Sequence, residues 1–119
     1  LRSGGEMIFT DPMQTEDCFP EFLDPILKRI FLQSLATPSF YCRTARELGM
    51  EVLDYENLPQ QLVNHYAKVL EETTGREHML KDKGVSEDYI QHMKEGLQNW
   101  VLGGTYGHIT WGVFHFRKK

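Results

Sequence analysis

The sequence contains little cysteine, no long apolar run and no excess of positive charge. Its 119 residues include two cysteines, Cys18 and Cys42, which are too few for a disulfide framework or a four-cysteine zinc site. No apolar run approaches the ~18 residues of a membrane-spanning helix, and no secretory signal peptide is recognisable. Because 13 Lys and Arg face 17 Asp and Glu, the chain lacks the cationic surface of a nucleic-acid-binding protein. These absences predict a cytoplasmic protein with free thiols that binds neither nucleic acid nor membrane.

The length is enough for one domain with a buried core. The chain starts at Leu1 rather than at a methionine, and Gly4-Gly5 marks a tight connection into the apolar residues 7–10. We therefore expect the sequence to begin inside a domain and to be a fragment of a longer protein.

Hydrophobic periodicity alternates between strand-like and helix-like segments. The apolar residues 7–10 predict a strand buried on both faces, which Pro12 should end. The helical spacing from Leu23 to Phe31 predicts an amphipathic helix, and Ser86 is the expected N-cap of the last helix, which Gly103-Gly104 should close. Strands are predicted near residues 6–11, 50–55 and 108–117, and helices near 20–36, 39–48, 59–74 and 86–102.

Three strands interleaved with helices predict an α/β fold rather than a helix bundle. The helical insertions are longer than crossovers require, and such excess often covers a substrate site. Asp11 should lie at the carboxyl end of the first strand, where open α/β sheets bind their ligands.

Several common catalytic and cofactor motifs are missing. Gly103-Gly104 precedes a strand instead of following one, so the chain has no glycine-rich nucleotide loop. The five histidines have no metal-ligand spacing, and no serine or cysteine triad is recognisable. The sequence thus identifies no metal ligand, no cofactor-binding residue and no catalytic residue.

Aromatic and arginine side chains are the remaining candidates for a binding site. Tyr41 and Tyr66 could hold a cation against their ring faces, with His65 beside the second of them, although aromatic stripes are more often core. Trp100 and Trp111 are interpreted as core residues. Three arginines could each bind a carboxylate or a phosphate, although surface arginines commonly have no such role: Arg29, Arg43 and Arg46.

Several segments together resemble a known enzyme family. The segment 1–13, with Gly4-Gly5 and Asp11-Pro12-Met13, resembles the turn and fifth strand of class I S-adenosylmethionine-dependent methyltransferases. The segments 25–30, 64–66 and 93–100, with Gly103-Gly104 and Thr110-Trp111-Gly112, are similar to the sarcosine/dimethylglycine N-methyltransferases. In one departure, Cys42 stands where relatives tend to have an arginine after the tyrosine that matches Tyr41.

The resemblance implies the C-terminal half of a Rossmann-like class I methyltransferase fold, with the last strand antiparallel. The residues 1–119 would be the acceptor-side portion of one methyltransferase domain. S-adenosylmethionine would be bound mainly by the missing N-terminal half, so the isolated chain should be inactive. The first strand would pair in parallel with a strand outside this chain, and its exposed edge predicts association or a homodimer.

The implied reaction is methylation of a small amine such as sarcosine or dimethylglycine, as in glycine betaine synthesis. A developing ammonium needs aromatic faces or a carboxylate nearby, which Asp11, Tyr41, His65 and Tyr66 could supply. We place the acceptor site at the carboxyl end of the first strand, under the third helix. Two alternatives remain open: a phosphoethanolamine-type methyltransferase, which needs more cationic groups, and a non-catalytic binding or association module.

Overall fold

The computed structural model describes residues 1–30, 32 and 34–119 of the chain. In chain order its elements are β1 (Glu6–Gln14), a 3₁₀ helix (Pro20–Leu23), α1 (Asp24–Arg29), α2 (Pro38–Glu47), β2 (Met50–Asn57), α3 (Pro59–Gly75), α4 (Glu77–Asp82), α5 (Glu87–Thr105) and β3 (Ile109–Lys118). The predicted alternation of strands and helices is confirmed, and α4 lies between the helices predicted near residues 59–74 and 86–102.

The three strands form one sheet in the order β1-β3-β2. β3 pairs antiparallel with both neighbours, so β1 and β2 run parallel to each other on either side of it. The register places Ile8 opposite His115 and Asp54 opposite the same residue on the other side. The expectation that the last strand runs antiparallel beside the first is therefore confirmed.

The first strand is longer and less buried than predicted. Pro12 does not end β1, because it pairs with Trp111 and the strand continues to Gln14. Proline is tolerated on edge strands, where its missing N–H faces away from the ladder. Asp11 is consequently an interior strand residue, and the prediction that it ends the strand is wrong. The prediction of two buried faces is also wrong, because Ile8 is 66% exposed.

The helix predicted at residues 20–36 is two shorter segments. The 3₁₀ helix ends at Leu23, and α1 begins at Asp24 with Pro25 in its first turn and ends at Arg29. Residues 34–37 have no regular structure, and Phe31 lies outside the described residues. The N-cap prediction at Ser86 is confirmed, since its side chain accepts a hydrogen bond from the Tyr89 N–H.

Gly103-Gly104 lies inside α5 rather than at its end, which corrects the predicted helix stop. A Cβ on Gly103 would be 2.9 Å from Ile109 Cδ1, and a Cβ on Gly104 would be 2.7 Å from Val63 Cγ2. The two glycines therefore let β3 and α3 approach α5 closely. Gly107, with φ of +80°, makes the turn that the sequence assigned to them.

The core consists of two clusters on opposite faces of the sheet, because successive side chains of β3 alternate between the faces. The first cluster joins α1 and α3 to the sheet through Leu23, Ile26, Leu27, Leu62 and Ile109. The second joins α2 to the sheet through Met13, Ala45, Phe114 and Phe116.

Candidate functional site

A small cavity opens where α3 crosses the sheet beside the first cluster. It has a volume of about 70 Å³ and is lined by Pro12, Leu62, His65, Tyr66 and Trp111. Pro12 and Trp111 are register partners on neighbouring strands, and the other three residues come from successive turns of α3. Two of the four sequence-predicted site residues, His65 and Tyr66, therefore share this cavity.

The walls of the cavity are predominantly aromatic. Tyr66 stacks on Trp100 of α5 with ring centroids 4.9 Å apart and an interplanar angle of 21°. His65 meets Tyr66 edge-on at 5.0 Å and tilts against Trp111 at 5.7 Å. Aromatic faces attract cations through their quadrupoles, most strongly where water is excluded. The arrangement can therefore bind a small alkylammonium group.

Two polar groups accompany these rings. The Tyr66 phenol is protonated and uncharged at neutral pH, and burial raises its pKa further. The indole Nε1 of Trp111 is buried and has no hydrogen-bond partner among the described residues. A buried donor without a partner is costly, and a ligand or a water molecule commonly satisfies it.

Trp111 and Trp100 both pack against the first cluster, as their interpretation as core residues predicts, but they also belong to the surroundings of the cavity. Both are only partly buried; Trp111 lines the cavity, and Trp100 stacks on the tyrosine that forms its wall. Period-two alternation along β3 puts Trp111 on the same face as Ile109, but the sequence contains no signal that brings α3 over that face.

Asp11 and Tyr41 form a separate pair on the opposite face of the sheet. The Tyr41 hydroxyl donates a hydrogen bond to Asp11 Oδ2 at 2.6 Å, and the tyrosine ring packs against Phe9 and Phe114. Because successive side chains of a strand point to opposite faces, Asp11 faces α2 while Pro12 faces the cavity. The structure thus brings the four predicted residues together as two pairs and not as one site.

The Asp11–Tyr41 pair predicts a loss of stability at alkaline pH. Burial, and then the hydrogen bond and charge of Asp11, raise the pKa of Tyr41 from 10.0 to about 12. The folded chain therefore holds this proton where the unfolded chain has lost it, so the free energy of unfolding falls as the pH rises from 10 to about 12. Urea unfolding across this range should show a shallower fall for Tyr41→Phe than for the unchanged chain.

Tyr89→Phe is the matched control, because Tyr89 is 59% exposed and its hydroxyl is not hydrogen-bonded to the described residues. The other tyrosines remain in both proteins, so the difference between them isolates Tyr41. An equally steep alkaline loss in Tyr41→Phe would show that the hydrogen bond to Asp11 does not stabilise the fold.

The described part of the chain offers little support for other classes of site. It contains no group of three or more His, Cys, Asp or Glu side chains that could hold a metal ion. None of its helices combines the length and the apolar character needed to cross a bilayer. Arg43 lies over the Phe40 ring at 6.0 Å, on α2 and away from the aromatic cavity.

Comparisons with known proteins agree with the resemblance found in the sequence, although no protein-family model matches the chain. The chain is 51% identical over 118 residues to the sarcosine/dimethylglycine N-methyltransferase of Halorhodospira halochloris. This match includes 99% of the chain and 42% of that protein. A crystal structure from Galdieria sulphuraria, assigned as a sarcosine dimethylglycine methyltransferase, matches all of the chain with a TM-score of 0.90 at 35% sequence identity. The match includes 43% of the Galdieria sulphuraria chain.

A further solved structure, a phosphoethanolamine N-methyltransferase of Haemonchus contortus, matches 99% of the chain with a TM-score of 0.85 but only 13% identity, so this likeness concerns the fold alone. The predicted fold class, part of a Rossmann-like class I methyltransferase fold, is confirmed. The chain is similar to the sarcosine/dimethylglycine N-methyltransferases along its whole length and spans about two fifths of theirs.

Proposed function

We propose that this chain is the acceptor-binding half of an S-adenosylmethionine-dependent N-methyltransferase acting on sarcosine or dimethylglycine in glycine betaine synthesis. The observation that carries the proposal is the aromatic cavity formed by His65, Tyr66 and Trp111. The 51% identity to a protein named for this activity supports the substrate class.

The chemistry of N-methylation explains why such a cavity is suitable. The amine reacts in its neutral form and becomes a more substituted, cationic ammonium, so a site that favours the transition state must stabilise positive charge as it develops. The ring faces of Tyr66 and Trp111 do this without offering a competing nucleophile. A volume of about 70 Å³ is roughly half that of the ~150 Å³ cavity that holds benzene, so it suits a small alkylamine head group.

The described residues do not themselves fit S-adenosylmethionine. In class I folds a glycine-rich turn between a strand and a helix approaches such a cofactor closely. Here β1 is followed by residues 15–19 without glycine, and β2 leads through Leu58 and Pro59 directly into α3. We assign the cofactor, which supplies the methyl group, to the portion of the relatives that this chain does not span.

We predict that the isolated chain binds S-adenosylmethionine negligibly, because it has no glycine-rich turn after a strand. Titration calorimetry of the 119 residues with the cofactor should give no measurable heat of specific binding. A micromolar dissociation constant would show that the cofactor site lies in this half after all.

The proposal is tested in a protein that supplies the missing portion. In what we call the grafted enzyme, these residues replace the 118 matching residues of the Halorhodospira halochloris protein. Mass spectrometry should detect methylated products from sarcosine and dimethylglycine and none from phosphoethanolamine. The opposite preference would favour the phosphoethanolamine alternative, whose fold is similar. A grafted enzyme that binds cofactor and methylates none of these amines would leave the chain as a non-catalytic binding module.

The free edge of β1 supports a second, structural expectation about association. In the isolated chain β1 pairs on one side only among the described strands, and Ile8 on its uncovered face is 66% exposed. Edge strands with exposed apolar side chains pair readily with other chains. Sedimentation velocity should show self-association that Ile8→Lys reduces, whereas Leu48→Lys, an exposed change outside the sheet, should not. A monomer at high concentration would contradict this expectation.

The location we propose is the cytoplasm. Cys18 and Cys42 are both free thiols, as expected in a reducing compartment.

A further inference from the structure

Leu62 forms the wall of the aromatic cavity that solvent does not reach. It lines the cavity together with Pro12, His65, Tyr66 and Trp111. Leu62 is 0% exposed, whereas each of the other four residues is partly or largely accessible to solvent. This wall therefore lies at the closed end of the cavity.

The side chain of Leu62 is held from behind and has no room to retreat. It belongs to the first cluster, together with Leu27 and Ile109. On α5, Gly104 leaves a notch for it, because a Cβ at this glycine would be 3.0 Å from Leu62 Cδ2. One methyl group of the leucine thus lies close against the backbone of α5. Since protein interiors are close-packed, Leu62 cannot move without displacing its neighbours.

The opposite wall of the cavity, Trp111, is tied to the same helix. The backbone N–H of Leu58, the N-cap of α3, donates a hydrogen bond to the Trp111 carbonyl oxygen at 2.7 Å. Leu62 lies one turn further along, and its N–H donates to the Leu58 carbonyl oxygen at 3.4 Å. A second link joins the two segments, because the Thr110 hydroxyl donates to Asn57 Oδ1 at 2.6 Å. These bonds fix the start of α3 on β3, and with it the separation of Leu62 from Trp111.

The space between these fixed walls is small. Its volume of about 70 Å³ is roughly half that of the ~150 Å³ cavity that holds the six carbon atoms of benzene, so it takes about three or four non-hydrogen atoms. A nitrogen atom with its two or three methyl groups matches this number. A further carbon on the nitrogen would have to displace a wall.

We propose that Leu62 sets the upper size limit of the amine, and so restricts the acceptor to N-methyl amino acids and excludes those with an N-ethyl or larger group. This inference rests on the proposed function. The ring faces attract any alkylammonium ion, so they do not by themselves distinguish a methyl from an ethyl group. A wall that does not yield makes this distinction, and one methylene in an apolar pocket changes kcat/KM by about 10- to 200-fold.

The test compares two acceptors in the grafted enzyme: dimethylglycine, and N-ethyl-N-methylglycine, which is larger by one methylene. The graft with Leu62 should prefer dimethylglycine about 10- to 200-fold in kcat/KM. Leu62→Val shortens the wall by one carbon and should reduce this preference about tenfold. Leu62→Ala opens the cavity further and should give measurable turnover of N,N-diethylglycine.

Leu23→Val is the matched control. Leu23 is a leucine of the same cluster, is also 0% exposed and does not line the cavity. Both valine variants should lower the melting temperature, because each leaves a void in the first cluster. The preference is a ratio of two kcat/KM values, so it does not depend on how much of the enzyme is folded. It should fall in Leu62→Val and stay unchanged in Leu23→Val.

The outcomes separate this inference from the proposed function. A graft that methylates dimethylglycine, but has the same preference in Leu62→Val and Leu23→Val, would overturn the role of Leu62 and leave the function standing. Equal kcat/KM for both acceptors in the graft with Leu62 would do the same. In a folded graft without turnover, titration calorimetry measures the preference as a ratio of dissociation constants, so the function can fail while the size limit holds. Binding of neither amino acid would overturn both.

Discussion

Phe114→Ala should reduce the free energy of unfolding by about 3–5 kcal/mol, because it empties the centre of the second cluster. Phe114 is fully buried, and its ring stacks on Phe9 at 5.0 Å and on Tyr55 at 4.9 Å. Phe9 lies on β1 and Tyr55 on β2. Removing the Phe114 ring therefore leaves a void in the second cluster and takes away packing contacts with both outer strands. Urea unfolding of the isolated chain measures the effect.

The control for this change is Phe40→Ala, a phenylalanine of α2 that is 46% exposed. It should cost well under 1 kcal/mol, because a surface substitution leaves no cavity. Similar losses from Phe114→Ala and Phe40→Ala would mean that the isolated chain does not have the packed sheet described above.

Tyr66→Ala should lower kcat/KM of the grafted enzyme about 5- to 30-fold, which corresponds to the ~1–2 kcal/mol of a desolvated cation–π contact. The loss should appear in kcat as well as in KM, because positive charge develops on the amine during the reaction. Tyr66→Phe should have little effect, since the ring face and not the hydroxyl attracts the cation.

The choice of control for Tyr66 follows from the structure. Trp100 and Trp111, which the sequence suggested as core controls, both belong to the aromatic surroundings of the cavity. Tyr106 is 69% exposed near the end of α5, so Tyr106→Ala removes a tyrosine without touching the site. Melting curves separate lost packing from lost binding. An unchanged kcat/KM in a folded Tyr66→Ala enzyme would make this residue ordinary packing.

Periodicity and capping predicted the order of elements well, because both are local. The direction of the last strand was implied by the family resemblance and not by any local pattern. Ser86, Pro59 and Gly49 mark helix ends by chemistry that acts within a few residues. Gly103-Gly104 was misassigned for the same reason. In a sequence, a glycine that ends a helix cannot be distinguished from a glycine that allows a neighbouring element to pack closely against the helix.

The candidate site was predicted only in part. His65 and Tyr66 are consecutive residues of one helix, so their proximity follows from the local sequence. Their rings are in contact in the structure. Asp11 was assigned to the same site because Pro12 was expected to end the strand. When β1 continues past Pro12, strict alternation turns Asp11 toward Tyr41 on the other face.

The central claim is that the cavity beside Trp111 binds the acceptor amine, and the indole N–H of Trp111 reports on it directly. This N–H is buried and unpartnered among the described residues, and a ¹⁵N-tryptophan label makes its resonance visible in the grafted enzyme. Trp111→Phe assigns the signal. Titration with dimethylglycine should shift this resonance progressively to saturation, at concentrations near the KM for that acceptor. A Trp111 resonance that stays in place while the enzyme turns over dimethylglycine would contradict the claim and put the acceptor site elsewhere.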